Sequence, residues 1–118
     1  MAVILGVDPG LAATGWGLID ARANTLRYID HGVIRTDSRT PTGERLLAIH
    51  SELTRICEAR HPRFAAIESL YFAKNSTSAI PVAQARGVVM LLLAQGGIDA
   101  SEYPPQSIKQ TLVGHGKA

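Results

Sequence analysis

The chain has 118 residues, of which 46% are apolar and 19% are charged, a balance that suits one compact globular domain with its own core. It contains no run of about 18 consecutive apolar residues, so we expect no membrane span, and the apolar run at its start is too short for a secretory signal. Twelve basic and ten acidic residues leave a net charge of +2, which permits an anionic partner without requiring one. We therefore expect a single, soluble, cytoplasmic domain over residues 1–118.

The first part of the chain predicts three short strands. A β-branched apolar run over residues 2–7 ends at the turn sequence Asp8-Pro9-Gly10, and extended patterns return over residues 14–20 and 27–34. Because the connections between these runs are short, the pattern predicts an antiparallel meander.

Helices and strands alternate in the rest of the chain. Apolar residues recur at helical spacing over residues 43–60, a buried strand is predicted over residues 63–68, and residues 98–103 form the last predicted strand. Between those two strands, cap-forming residues at 75–78 predict a helix that continues to residue 95, with Pro81 in its first turn. A short helix is expected after Pro104. The order predicts an α/β fold with a mixed five-stranded sheet flanked by helices, similar to a ribonuclease-H-like fold.

Two acidic residues each end a predicted strand. Asp8 closes the first strand and Glu68 closes the fourth, so their carboxylates would share one edge of the sheet if those strands are neighbours. Magnesium prefers hard oxygen ligands, and a pair of such ions can activate water in phosphodiester cleavage. An acid at a strand end can equally cap a helix or form a turn, and spacing alone leaves both interpretations open.

Four segments resemble RuvC-type Holliday-junction resolvases in order and spacing. They are Leu5-Gly6-Val7-Asp8-Pro9-Gly10 with Thr14-Gly15-Trp16-Gly17; Ala66-Ile67-Glu68-Ser69-Leu70-Tyr71-Phe72-Ala73-Lys74-Asn75; Gln84-Ala85-Arg86-Gly87; and residues 104–114 around Lys109. The resemblance spans the whole chain.

The resemblance implies a magnesium-dependent endonuclease that nicks two opposed strands of four-way junction DNA in homologous recombination and repair. Asp8 and Glu68 would bind two Mg²⁺ ions per active site, and Lys109 would stand near the scissile phosphate and stabilise developing charge. By sequence alone, a solvated surface lysine is the better explanation of Lys109.

Five further residues are candidate DNA contacts under the resemblance. Tyr71 matches an aromatic position beside DNA and could stack on an unpaired base, while Lys74, Asn75 and Arg86 could contact phosphate. His115 lies in the loop after the Lys109 segment and is a weaker candidate. Ordinary packing or solvated surface explains each of these residues equally well.

The second long helix carries more apolar residues than one buried stripe needs, because they spread around most of its circumference. Full burial within one subunit would explain this surplus, and the resemblance implies instead a two-fold homodimer through this region. A branch-migration motor of the RuvA and RuvB type is a further partner implied by the resemblance.

The chain departs from the family pattern at its end. The family completes its site with two aspartates in an Asp-x-x-Asp-Ala motif, and no residue after Glu102 is acidic. Two carboxylates would hold two metal ions poorly, so we predict that these 118 residues alone are inactive or nearly so.

Three alternatives remain open from the sequence. An ATPase of the actin and sugar-kinase type also places an Asp-x-Gly turn after its first strand, but it needs two lobes. A non-catalytic nucleic-acid-binding relative would keep the fold without the chemistry. A resolvase-like RNA-processing nuclease would use the same acids on another substrate.

Overall fold

A computed structural model of the chain describes residues 2–68 and 76–103. In chain order, the elements are β1 (Ala2–Asp8), β2 (Ala13–Arg22), β3 (Thr25–Arg35), α1 (Thr42–Arg60), β4 (Phe64–Glu68), α2 (Ser76–Gln95) and β5 (Asp99–Tyr103). The short helix predicted after Pro104 lies outside the described residues.

The strands form one five-stranded sheet in the order β3-β2-β1-β4-β5. β1, β2 and β3 pair antiparallel as a meander, whereas β4 pairs parallel with β1 on one side and with β5 on the other. The predicted mixed α/β sheet is therefore confirmed. Its topology places the two strands that end in Asp8 and Glu68 side by side in the middle of the sheet.

The core lies on the face of the sheet that the two helices cover. Alternate residues of the central strands are fully or almost fully buried there, and α1 and α2 pack their apolar residues against them. The main contributors from the strands are Leu5, Val7, Leu18 and Ile67, and those from the helices are Ile49, Leu53, Val89 and Leu93. Because side chains alternate between the two faces of a strand, Asp8 and Glu68, which follow Val7 and Ile67, lie on the opposite face.

Element boundaries differ from the sequence predictions at several ends. β2 and β3 extend to a tight turn at Ala23 and Asn24, where Ala23 takes a left-handed conformation with φ of 50°. The placement of Pro81 in a first turn is wrong, since α2 begins at Ser76 and Pro81 lies inside it. Proline is costly there because it lacks an N–H and its ring crowds the preceding turn, so the rest of the helix must compensate for it.

Two further features concern the fold. Cys57 of α1 is half-buried against the core, and burial raises the pKa of its thiol. Among residues 2–68 and 76–103, no helix is long and apolar enough to cross a membrane.

Candidate active site

Asp8 and Glu68 are neighbours at the carboxyl edge of the sheet. β1 and β4 run parallel with Val7 opposite Ile67, and each acid is the next residue of its strand. Adjacent strands lie about 4.8 Å apart, so side chains at this register position can reach a common ligand. The sheet thus brings together two acids that are separated by 60 residues of sequence.

The two carboxylates stand on the face of the sheet that carries small residues. Asp8 pairs with Gly15 of β2. Two residues earlier in β1, Gly6 lies between Gly17 of β2 and Ala66 of β4. A β-carbon at Gly15 would lie 3.8 Å from the β-carbon of Asp8, an ordinary contact that identifies the two positions as neighbours on one face. The neighbouring positions on this face, Gly15, Gly6, Gly17 and Ala66, therefore carry no side chain larger than a methyl group.

The two acids differ in exposure. Glu68 is 7% exposed, whereas Asp8 is half-buried at the rim. Carboxylate oxygens are ligands that Mg²⁺ favours, so this pair fits part of a magnesium ligand set. No group of three or more His, Cys, Asp or Glu residues suited to a metal occurs in the described part of the chain. A complete site would take its other ligands from water, substrate or residues outside the described ranges.

The turn that follows Asp8 is tightly closed. The hydroxyl of Thr14, which is fully buried, donates to the carbonyl of Gly10 at 2.6 Å and accepts from the N–H of Gly10 at 3.2 Å. A β-carbon on Gly10 would lie only 2.4 Å from the carbonyl oxygen of Ala13, so only glycine fits without a backbone shift. The backbone next to Asp8 is therefore defined by contacts within the turn.

A second polar group lies at the same edge of the sheet, after the end of β3. Arg39 donates to Asp37 Oδ2 at 2.8 Å, and this guanidinium holds the pKa of the Asp37 carboxyl below its ordinary value. The backbone N–H of Arg39 and the charge of Arg45 act in the same direction. Because Asp37 is already paired with Arg39 in an exposed loop, it is a weaker metal candidate than the strand-end acids.

Arg86 is not a free surface cation in the structure. It forms an ion pair with Glu102 of β5, and Nη1 lies 3.2 Å from the sulfur of Met90. Its side chain is only 15% exposed, and its Nε is buried without a hydrogen-bond partner among the described residues. The ion pair ties α2 to β5, and a contact between Arg86 and DNA stays a prediction.

The other candidates for substrate contact fall outside the described residues. They are Tyr71, Lys74, Asn75, Lys109 and His115. The roles assigned to them therefore remain predictions.

Sequence reasoning missed the hydroxyl groups around the Asp8 turn. Thr14 belongs to the Thr-Gly-Trp-Gly motif, but its hydroxyl was given no part in the site. Thr36, which contacts this turn from the end of β3, and Arg45, which contacts Thr36, carried no motif signal.

Comparison with known proteins identifies the family. The family model described as "Crossover junction endodeoxyribonuclease RuvC" matches residues 4–118. A relative of the same name from Roseiflexus sp. (strain RS-1) is 47% identical over 97% of this chain and 68% of its own length. One from Treponema denticola is 48% identical over 98% of this chain and 65% of its own length.

A solved structure gives the same result. T. thermophilus RuvC in complex with a Holliday junction substrate superposes with a TM-score of 0.82 at 26% identity, over 95% of this chain and 70% of that chain. The ribonuclease-H-like architecture and the resemblance stated from the four motifs are both confirmed. Since the family match covers nearly all of the sequence, the chain belongs to the RuvC family of crossover junction endodeoxyribonucleases.

Proposed function

We propose that this chain supplies the catalytic domain of an endodeoxyribonuclease that resolves Holliday junctions by paired, symmetric nicks during homologous recombination and DNA repair. The observation that carries the proposal is the adjacency of Asp8 and Glu68 at the ends of the central parallel strands, in a chain of the RuvC family. The relatives' name and the junction-bound structure support the substrate class.

Asp8 and Glu68 would each contribute carboxylate oxygens to bound Mg²⁺, two ions per active site. When bound, such ions lower the pKa of water and stabilise charge on phosphate oxygens. The chain's own residues shape the site: the row of small residues puts no large side chain beside the acids, and the buried Glu68 provides a ligand held within the sheet. Loss of either carboxylate should therefore weaken metal binding before it alters DNA binding.

We assign roles outside the described residues by the family resemblance alone. Lys109 would stabilise charge on the scissile phosphate, and Tyr71 would stack on an unpaired base near the branch point. Lys74, Asn75 and His115 would contact the DNA backbone, as would Arg86 if its pair with Glu102 opened. A motor of the RuvA and RuvB type is a proposed partner on the same basis, and chromosomal DNA as the substrate would place the activity in the cytoplasm.

A homodimer is the proposed assembly, and the exposed face of α2 supports it. Ile80, Met90 and Leu91 are 64%, 45% and 54% exposed, and they recur at helical spacing along one stripe with Ala83 and Gly87. A charged or polar face is usual where a helix meets water, so an exposed apolar stripe indicates a protein partner.

Gly87 adds a second reason for a helix partner. A β-carbon there would meet nothing within 4 Å, so nothing in the described part of the subunit requires glycine at this position. Glycine inside a helix costs about 1 kcal/mol relative to alanine. Close approach of a second α2 helix at Gly87 would explain the residue, and a two-fold dimer would set two acid sites on related DNA strands.

We further propose that a polypeptide of these 118 residues cleaves poorly or not at all. No residue after Glu102 is acidic, so the two further aspartates with which the family completes its site are missing from this polypeptide. Cleavage is therefore best tested in a chimera that continues this chain with the remaining residues of the 47%-identical Roseiflexus relative.

The decisive experiment incubates that chimera with four-way DNA, linear duplex and structured RNA, with and without Mg²⁺. Paired symmetric nicks confined to the four-way DNA, and a loss of at least about 100-fold in Asp8→Asn and Glu68→Gln, are expected because each variant removes a metal ligand. The matched control is Asp30→Asn, which changes an acid of β3 that lies opposite Leu18 and away from the acid edge.

Two of the alternatives predict a different result in this experiment. Preferential cleavage of RNA would support the RNA-processing nuclease and contradict junction resolution. Junction binding without cleavage in the chimera, unchanged by Asp8→Asn, would support a non-catalytic nucleic-acid-binding relative.

A further inference from the structure

The turn after Asp8 is held on its far side by residues that belong to neither β1 nor β2. Thr36, the first residue after β3, donates its backbone N–H to the carbonyl of Ala12 at 3.0 Å. Its hydroxyl donates to the carbonyl of Leu11 at 2.6 Å, across 25 residues of sequence. Two consecutive carbonyls of the turn are therefore bonded to one threonine.

Arg45 completes this contact from the first turn of α1. Its Nε donates to the hydroxyl oxygen of Thr36 at 2.8 Å, so this hydroxyl accepts one hydrogen bond and donates another. The donation from Arg45 orients the Thr36 hydroxyl toward Leu11. The side chains of Arg45 and Thr36 thus join α1, the end of β3 and the turn that follows Asp8.

The turn itself has little freedom to adjust. Leu11 is 7% exposed and belongs to the core, and Thr14 closes the other end of the turn through Gly10. Asp8 lies directly before this turn, so the backbone direction at Asp8, and with it the direction of its carboxylate, depends on where the turn is held. Groups that orient metal ligands from outside the ligand set typically change metal affinity by about 10- to 100-fold when removed.

We infer that Arg45 and Thr36 are positioning residues for Asp8, holding the turn after β1 so that its carboxylate meets that of Glu68. This inference rests on the proposed metal site. Neither residue would touch metal or DNA; Arg45 acts through Thr36, and Thr36 acts through the Leu11 and Ala12 carbonyls.

The test measures Mn²⁺ binding to the chimera with the Roseiflexus relative by electron paramagnetic resonance, well below the melting temperature of each variant. Thr36→Val removes the hydroxyl at nearly constant volume, and Arg45→Met removes the Nε–H while keeping an unbranched stem. Each should weaken Mn²⁺ binding by about 10-fold. Thr36→Ser should restore the wild-type affinity because it keeps the hydroxyl.

The matched control is Arg55→Met on the same helix, where the exposed Arg55 pairs with Glu52 and is far in sequence from the turn. Arg55→Met should leave Mn²⁺ affinity unchanged. In the chimera with the Roseiflexus relative, Thr36→Val and Arg45→Met should raise the Mg²⁺ concentration for half-maximal cleavage with little change in junction affinity. If Thr36 and Arg45 had a purely structural role, these variants would lower the melting temperature without raising the Mg²⁺ concentration for half-maximal cleavage.

The outcomes separate the two proposals. If Asp8→Asn binds Mn²⁺ as tightly as the wild type, the proposed metal site fails. If Asp8→Asn loses binding while folded Arg45→Met keeps wild-type affinity, the metal site stands and the positioning inference is overturned. Should Thr36→Val fail to fold, Arg45→Met decides alone, since it changes a partly exposed side chain.

Discussion

The two long helices cover the same face of the sheet but present different outer surfaces. α1 buries Ile49 and Leu53, and its outer side carries charged pairs such as Glu52 with Arg55. α2 buries Val89 and Leu93 as firmly, yet its outer side is a stripe of apolar and small residues. The inner faces are equivalent, so the difference between the helices concerns what lies outside them.

The contrast shows what an exposed apolar residue indicates in each setting. Leu47 on α1 is 64% exposed, and single exposed leucines are common on soluble proteins. On α2, exposed apolar and small residues recur three, four and seven positions apart, which makes a continuous face that a second helix could cover; they are Ile80, Ala83, Gly87, Met90 and Leu91. Repetition along one stripe, rather than exposure alone, distinguishes a proposed interface from ordinary surface.

The largest effect is expected on the buried inner faces, where the two helices are alike. Leu53→Ala in α1 and Leu93→Ala in α2 each remove a side chain at most 1% exposed, so each should lower the free energy of unfolding by about 2–5 kcal/mol. Urea denaturation followed by circular dichroism measures both. A cost below about 1 kcal/mol for either variant would contradict the packing of that helix against the sheet.

The second-largest effect is expected on the outer faces, where the two helices differ. Leu91→Glu places a carboxylate in the proposed interface twice, once per subunit, and should weaken dimerisation on the order of 100-fold. Leu47→Glu is the matched control, since it changes a leucine on α1 that is at least as exposed as Leu91. Sedimentation equilibrium over a concentration series reports the association constant. A wild-type chain that stays monomeric, or equal weakening by both variants, would remove the distinction drawn between the outer faces.

The smallest effect is expected at Gly87, on the outer face of α2. Gly87→Ala, made in the Leu91→Glu background, should raise the free energy of unfolding by about 0.5–1 kcal/mol, because the added methyl group meets nothing within 4 Å and alanine favours the helix. In an otherwise wild-type dimer the same methyl group should weaken association. If association is unchanged or tighter, the helices do not approach closely at Gly87.

Local patterns predicted the elements well because their signals are short-range. Apolar alternation identified the strands, and helical spacing of Leu46, Ile49 and Leu53 identified α1. Boundaries were less accurate where a local rule competed with packing. Proline normally ends or begins a helix, yet α2 continues through Pro81, and the core residues Ala85, Val89, Leu92 and Leu93 follow it in the same helix.

The sequence by itself determined the order of elements, the family, and the identity of the two acids, because each depends on residue types at fixed local spacing. Tertiary structure alone decided that β1 and β4 are neighbours in register, that Arg86 pairs with Glu102, and that Thr36 holds the turn beside Asp8. Such contacts join segments that are many residues apart. They depend on strand register and helix packing, which no local pattern encodes.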